Sequence, residues 1–411
     1  MEEKILTMIL PGYKHFGGRQ VEAAALKNVL AYLGVTAPHT GQPFTDALLF
    51  GLGGGLGLGY FVYASASHTA LFVATRITTE ETKQPGFLQA MTERLGGKLT
   101  VQKSSNAPGA ERKIRQALAE GRPPIVWVNP QGLPYPGTPY GYHPLVVFGI
   151  DEEGGEVHLA DRSAKAVTIS QAEFVSAQQG GDPPRFRTVL VAMPRPPKAA
   201  GLKAAVRQGL RDTCEQMQNG FGPKNFRSNF GLSALEKWAN LLADPKDARG
   251  WPKFFPPGPR LYQALTATFD QIENRGGGGS ALRGLYADFL DEAASILRKS
   301  ALNNVAGQFR ESERLWGRLS AALLPDSVPL LKEAKRLMVK RRTLFEKKGL
   351  AARDEIRAAD ARLAEIRARM DYEFPLGAGE AGDLLANLRE RVLSVHAAEA
   401  EAIRALKKLA R

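Results

Sequence analysis

The sequence predicts a mixed α and β domain followed by an all-α domain, on three observations. Before residue 195, short β-branched and aromatic runs are punctuated by glycine and proline, the signature of strands and turns. After residue 201, Ala, Leu, Arg and Glu recur at helical spacing. Between them, residues 193–201 (MPRPPKAAG) place Pro194, Pro196 and Pro197 together, and proline breaks both helices and sheets while stiffening a tether. The expected organisation is residues 1–195 as the α/β domain, 202–325 as a helical domain, and 326–411 as a basic helical extension ending in a hairpin.

Taken in order, residues 21–33 (VEAAALKNVLAYL) suit a helix entered from Gly17 and Gly18. Residues 47–75 carry no formal charge for 29 positions, long enough to cross a bilayer. Six glycines between Gly51 and Gly59 argue against that, since each weakens a helix by about 1 kcal/mol relative to alanine. A buried loop followed by core strands is predicted instead. Residues 125–128 and 145–150 read as strands, and the turn at 151–156 joins the second to 157–160 as a hairpin, with a further strand at 187–193.

In the second half, Val206, Leu210, Cys214 and Met217 fall on one helical stripe, which makes Cys214 a core residue. Helices are predicted at 303–324 and 328–348, separated by Pro325. Stripes at Ile356, Ala359, Leu363, Ile366, Met370 and at Leu385, Leu388, Val392, Val395, with a turn over 372–382, predict an antiparallel helical hairpin.

Composition narrows the function classes. Of 411 residues 44% are hydrophobic and 24% charged, which is globular, and a single cysteine excludes intrachain disulfides and multi-cysteine metal sites. Six scattered histidines give no metal-binding pattern, so neither metal nor cofactor is expected. The acidic start Met1-Glu2-Glu3-Lys4 lacks the basic character of a secretory signal, and a cytoplasmic location without membrane association is the expectation. The net charge of +13 divides into +3 for residues 1–200 and +10 for 201–411. Lys332, Lys335, Arg336, Lys340, Arg341, Arg342, Lys347 and Lys348 against Glu333 and Glu346 concentrate +6 in one helix. An acidic protein partner fits that charge, the C-terminal helices offer a surface for self-association, and nucleic acid is disfavoured because only Phe345 interleaves with the basic run.

Two constellations could carry chemistry. The glycine run invites a phosphate-binding reading, but no window gives G-x-G-x-x-G and no Gly-Lys-Ser/Thr follows, so close backbone packing is its expected role. His143 heads one predicted strand and Asp161 ends the next. Folding the hairpin about 151–156 brings them together, and a register of even index sum puts both on one face. A carboxylate there fixes the imidazole tautomer and stabilises the imidazolium, the orienting pair of a base mechanism. His158 has no such partner and is read as structural. A nucleophile would sit at the start of the helix after Gly18, but Gln20-Val21-Glu22-Ala23-Ala24 holds no Ser, Thr or Cys. Ser65 and Ser67, ahead of His68, are weaker substitutes.

Residues 15–28 (HFGGRQVEAAALKN) resemble the opening of the BtrH-like family, named for the butirosin-biosynthesis acyltransferase, which has a His-Cys dipeptide ahead of a small-residue helix. Residues 47–57 (ALLFGLGGGLG) are similar to its glycine signature, and YHPLVV (142–147) with HLAD (158–161) to its His and Asp strands. Residues 230–239 (FGLSALEKWA) and 276–290 (GGGGSALRGLYADFL) resemble the helical domain of unknown function joined to it. The resemblance implies a papain-like, cysteine-peptidase-like α+β fold for the first domain. It also implies that Val21 of Gln20-Val21 stands where the family carries its nucleophilic cysteine.

An isopropyl group forms no acyl-enzyme, so two functions are expected from this departure. One is a binding or scaffolding module on a degenerate site in a biosynthetic system. The other is an acyltransferase that moves an acyl group from a carrier-protein thioester directly to an amine. In that case His143 is the base, Asp161 its stabiliser, and Gln20 with first-turn amides the oxyanion donors, while an acidic acyl carrier protein would suit the basic surface.

Overall fold

The computed structural model describes residues 7–64, 69–74, 86–136, 142–180, 186–220, 224–274 and 279–410. In chain order its elements are β1 (Thr7–Ile9), α1 (Val21–Tyr32), α2 (Asp46–Leu52), β2 (Gly59–Ala64), β3 (Thr69–Ala74), α3 (Phe87–Arg94), β4 (Lys98–Lys103), α4 (Ala107–Ala119), β5 (Ile125–Val128), β6 (His143–Asp151), β7 (Glu156–Ala160), β8 (Val167–Ser170), α5 (Gln171–Gln179) and β9 (Arg187–Ala192). The helices that follow are α6 (Ala199–Asn219), α7 (Gly231–Ala243), α8 (Trp251–Phe254), α9 (Pro259–Glu273), α10 (Arg283–Leu297), α11 (Ala301–Leu323), α12 (Pro329–Lys348), α13 (Arg353–Arg369) and α14 (Ala378–Leu409). An α/β region with an antiparallel sheet thus precedes a helical region. No described helix is long and apolar enough to cross a membrane.

The chain forms two compact units that are discontinuous in sequence. The first comprises residues 1–53, 86–205 and 342–356, and the second 54–85, 206–341 and 357–411. The first is built on an antiparallel sheet of strand order β4-β9-β5-β6-β7-β8, with β1 also pairing to β6. Its central strands are apolar on both faces, as strands covered by helices must be: Leu145, Val146 and Val147 of β6 are fully buried. Helix α1 packs on β6. Phe345, Ala352 and Ile356, from far along the chain, join Val126, Val147, Leu159 and Val167 in one apolar cluster.

In the second unit the β2–β3 hairpin pairs Gly59 with Ala74 through Ala64 with Thr69. Its open edge is closed by helix side chains. Gln271 of α9 accepts from Val73 N at 2.6 Å and donates to Leu71 O at 3.0 Å, and Asn229 donates to Tyr60 O at 2.7 Å. An edge strand left without such partners would expose unpaired amides and carbonyls. The glycine run is buried throughout as predicted, although its first member, Gly51, lies in the last turn of helix α2 rather than in a loop. Gly55 has φ +53°, and a Cβ there would lie 2.8 Å from Thr213 Oγ1 and collide with the Tyr286 ring, so only glycine fits.

Val206, Leu210, Cys214 and Met217 are all buried along α6. Helix α14 buries Leu385, Leu388, Val392 and Val395, but chiefly against α11 and α7, where the sequence pointed to a hairpin with α13. The reason lies on the same helix. Glu399 meets Arg283 of α10 in a fully buried ion pair, and Lys299 Nζ and Arg211 Nε donate to the last carbonyls of the helix, Leu409 O (2.8 Å) and Ala410 O (3.1 Å).

Candidate active site

The first unit brings His143 and Asp161 together. His143 opens β6 opposite Val128 of β5, and Asp161 directly follows β7. His143 Nε2 donates to Asp161 Oδ2 at 2.7 Å, with the side chains 0% and 1% exposed. The register that achieves this changes partway along the hairpin. Near the turn, Asp151 pairs with Glu156 and Gly149 with His158; beyond a bulge at Phe148, Val147 pairs with Leu159 and Val146 with Ala160. Continued one position, the second register sets Asp161 opposite Leu145, two residues from His143 and on its face. The first register would set it opposite Val146, with His143 on the other face, because side chains alternate along a strand. The single extra residue of the bulge therefore creates the pair.

Electrostatics keep the carboxylate ionised. Burial pushes the Asp161 pKa up, but the His143 charge and hydrogen bond, then the charge of Arg162 and its backbone bond, outweigh that and bring it down to about 2. Arg162 N donates to Asp161 Oδ1 at 2.7 Å, and its Nη2 donates to Pro136 O at 2.8 Å. The guanidinium lies 5.7 Å from the centre of the Phe345 ring, which stacks on Tyr135 at 4.3 Å. Tyr135 is pushed well above its ordinary pKa of 10 by burial and then by the Asp161 charge, so it stays a neutral phenol. Ala164 N donates to Glu346 O at 2.7 Å, fixing the segment after Asp161 from the other side.

Helix α1 begins alongside this segment. Gly18 N donates to Arg162 O at 3.2 Å, and a Cβ on Gly17 would lie 2.8 Å from Ser163 O, so the approach requires glycine. Gln20 is the N-cap: its Oε1 accepts from Ala23 N at 2.7 Å and its Nε2 donates to Glu22 Oε2 at 2.8 Å. Both ends of the Gln20 amide are thus in use, and donation to an oxyanion would require exchanging the Glu22 bond. Val21 is the first helical residue and is 7% exposed. Ser65, Ser67 and His68 lie outside the described residues. His158 shares a 3.0 Å hydrogen bond with Thr168 Oγ1, in keeping with a structural role. Cys214 is buried, which raises its thiol pKa to about 11 and removes it from nucleophilic chemistry.

Sequence reasoning missed His15, Arg162, Tyr135 and Phe345. Arg162 and Tyr135 carried no signal, and Phe345 stood out only as the lone aromatic of the basic run. His15 offered a hint in its position three residues before Gly18. Much of the basic run is neutralised locally. Lys335 pairs with Asp326 (3.0 Å), Arg341 with Asp360 (2.8 Å) and Asp270 (3.5 Å), Arg342 with Glu346 (3.9 Å) and Lys348 with Glu355 (3.0 Å).

Fold and site together define an α/β domain carrying a buried histidine–aspartate dyad, joined to a helical domain. Residues 20–162 match the family model described as Butirosin biosynthesis protein H, N-terminal, and residues 177–339 match the domain of unknown function DUF4872. The chain therefore carries a BtrH-like N-terminal domain fused to a C-terminal domain of unknown function. The first match opens at Gln20 and closes one residue after Asp161, so helix start and dyad mark its ends. No curated protein matches the chain.

Proposed function

We propose that the first domain has a papain-like fold and transfers an acyl group from a thioester to an amine without an acyl-enzyme at position 21. One observation carries this reading: the His143–Asp161 bond of 2.7 Å, with an ionised carboxylate, is the orienting half of a base mechanism. His143 is the group that takes the proton. The amine nitrogen attacks the thioester carbon, a C–N bond forms and the C–S bond breaks. The amine proton passes to His143 and then to the departing thiolate, which leaves as the thiol. A thioester is already activated, so alignment of two bound reactants can contribute about 7 kcal/mol without covalent catalysis. Val21 offers no atom for an acyl-enzyme. An acidic acyl carrier protein is the proposed donor, and a cytoplasmic biosynthetic system the proposed setting.

The complete burial of His143 favours a second reading, in which the degenerate site is retained as a binding or scaffolding module. Incubating the protein with acylated carrier protein and candidate amines separates the two. Under the first reading, His143→Ala lowers amide formation by about 10²-fold or more and no covalent adduct accumulates on the parent protein. Unchanged turnover in His143→Ala would exclude base catalysis, and a covalent adduct on the parent would exclude the direct route. Carrier or amine binding without turnover would leave the scaffold reading standing. Val21→Cys should become acylated, since it restores sulfur at the helix start.

A further inference from the structure

Helices α9 and α13, both in the second unit, line a cavity of about 330 Å³, at the lower end of the size range of small-molecule sites. Helix α9 contributes its first turn through Pro259 and Tyr262, and α13 its C-terminal end through Ala364, Arg367 and Ala368, with Asp371 just beyond. Three polar groups on this wall are unspent. Tyr262 is only 4% exposed, yet its hydroxyl meets no hydrogen-bond partner among the described residues. Buried polar atoms are paired in the great majority of cases, and an exception on a cavity wall calls for a ligand atom. Burial pushes this phenol up to about 12 against the pull of the Arg367 charge, so it stays a neutral donor beside a guanidinium. Arg367 and Asp371 are exposed and, although four residues apart, form no ion pair with each other or with any other described residue. Arginine ahead of its acid is the less favourable order for such a pair on a helix.

We propose that this cavity binds a free amino acid, its carboxylate held by Arg367 and the Tyr262 hydroxyl and its ammonium by Asp371. The backbone has the same polarity. The first turn of α9 follows Gly258, which supplies no side-chain cap, so its amides and the helix dipole favour a negative group there. The last turn of α13 is the opposite end of a helix dipole and favours a positive one. The two side-chain charges sum to zero. A phosphate would be repelled by Asp371 and a simple amine by Arg367, whereas a zwitterion satisfies both. Pro259, Ala364, Ala368 and the Tyr262 ring provide an apolar wall for the carbon body of the ligand. Arg367 and Asp371 lie beyond residue 339, where the second family match ends, so the charged wall belongs to the C-terminal extension. Binding here is independent of acyl transfer, since none of these residues belongs to the first unit.

Saturation-transfer NMR on the full chain, with a mixture of the twenty standard amino acids as probe, tests this. At least one of them should receive saturation; transfer to none overturns the proposal. The amino acid that binds is then titrated alongside its deaminated acid and its decarboxylated amine. Each truncated compound should bind about tenfold or more weakly, because each lacks one charge-assisted contact. A deaminated acid that binds as tightly as the amino acid overturns the role of Asp371 and makes the cavity an anion site. Arg367→Gln and Asp371→Asn change exposed residues and leave the fold intact, and each should weaken binding about tenfold or more. Tyr262→Phe keeps the ring and should weaken it about fivefold. Undiminished binding in Arg367→Gln and Asp371→Asn overturns the site, and its loss in His143→Ala would then place the amino acid in the first unit.

Discussion

The buried ion pair of the second unit provides a demanding test of the packing described above. Arg283 and Glu399 are both 0% exposed. Glu399 Oε1 accepts from Arg283 Nε (2.6 Å), Ser312 Oγ (2.8 Å) and Trp316 Nε1 (2.7 Å), and Oε2 accepts from Arg283 Nη2 (2.9 Å). Arg283 Nη1 donates to Ala281 O at 2.7 Å, and its guanidinium lies 5.0 Å from the Trp316 ring centre. Glu399→Ala strands a buried cation and removes the acceptor of Ser312 and Trp316 together. Breaking such a pair costs about 3–5 kcal/mol, and an orphaned neutral donor adds to that, so a loss of about 4 kcal/mol is expected. Replacing both partners by apolar residues, Arg283→Met with Glu399→Leu, should recover most of it, because the desolvation cost disappears with the charges. Urea unfolding followed by tryptophan fluorescence suits the measurement, since Trp238, Trp251 and Trp316 all belong to this unit. Burial raises the Glu399 pKa, but Arg283 and the donors outweigh it and leave the group below its ordinary 4.5. Its contribution is thus present above that value and lost as pH falls through the folded-state pKa. A single variant that loses less than about 1 kcal/mol, or a double variant as unstable as Glu399→Ala, would refute the reasoning.

The same sign governs Asp161, whose pKa falls from 3.8 to about 2 on folding. Stability of about 2 kcal/mol should be present above pH 3.8 and fade towards pH 2, and Asp161→Asn should flatten that part of an acid-unfolding curve. Deleting Phe148 leaves the Val147–Leu159 and Gly149–His158 pairs adjacent in one regular ladder with Asp161 still on the His143 face, so the deletion variant should retain this acid dependence; losing it would contradict the register assigned to the dyad. Cys214, with its thiol raised to about 11, should resist a thiol reagent at pH 8 in the native protein and react fully in denaturant. Rapid native-state labelling would contradict its burial.

Much of the fold was legible because periodicity reports directly on buried faces. The helix predicted at 21–33 is Val21–Tyr32, the strand at 125–128 is Ile125–Val128, and the turn at 151–156 joins β6 to β7. Periodicity does not name the surface that a face is buried against. The apolar residues of β2 and β3 gave no sign that α9 and Asn229 would close their edges. Likewise the stripe of α14 would suit any apolar neighbour, and its true setting depends on Glu399, a residue that reads as solvated in any helix of this composition. Phe345 was the lone aromatic in a basic run, yet Tyr135 and Arg162 cover its ring in the first unit.

The site was legible to a different degree, and the bulge shows why. His143 and Asp161 are placed by strand ends and by chemistry, both readable from one sequence. Whether they meet depends on the parity of a register, and parity turns on one unpaired residue in β6. Gly149 is the local trace of it. A Cβ there would lie 3.0 Å from both His158 Cδ2 and Ile9 Cγ1, so the strand tolerates the irregularity only where it carries no side chain. Phe148, the extra residue, is held by Tyr13, whose ring stacks on it at 4.4 Å, and by Leu10 N, which donates to its carbonyl at 2.9 Å. The segment just after β1 thus stabilises the bulge, the bulge sets the register, and the register sets the dyad. A glycine inside an apolar strand, next to an aromatic residue and six positions from a histidine, is a weak signal by itself. It becomes decisive only once the strand that covers it is known.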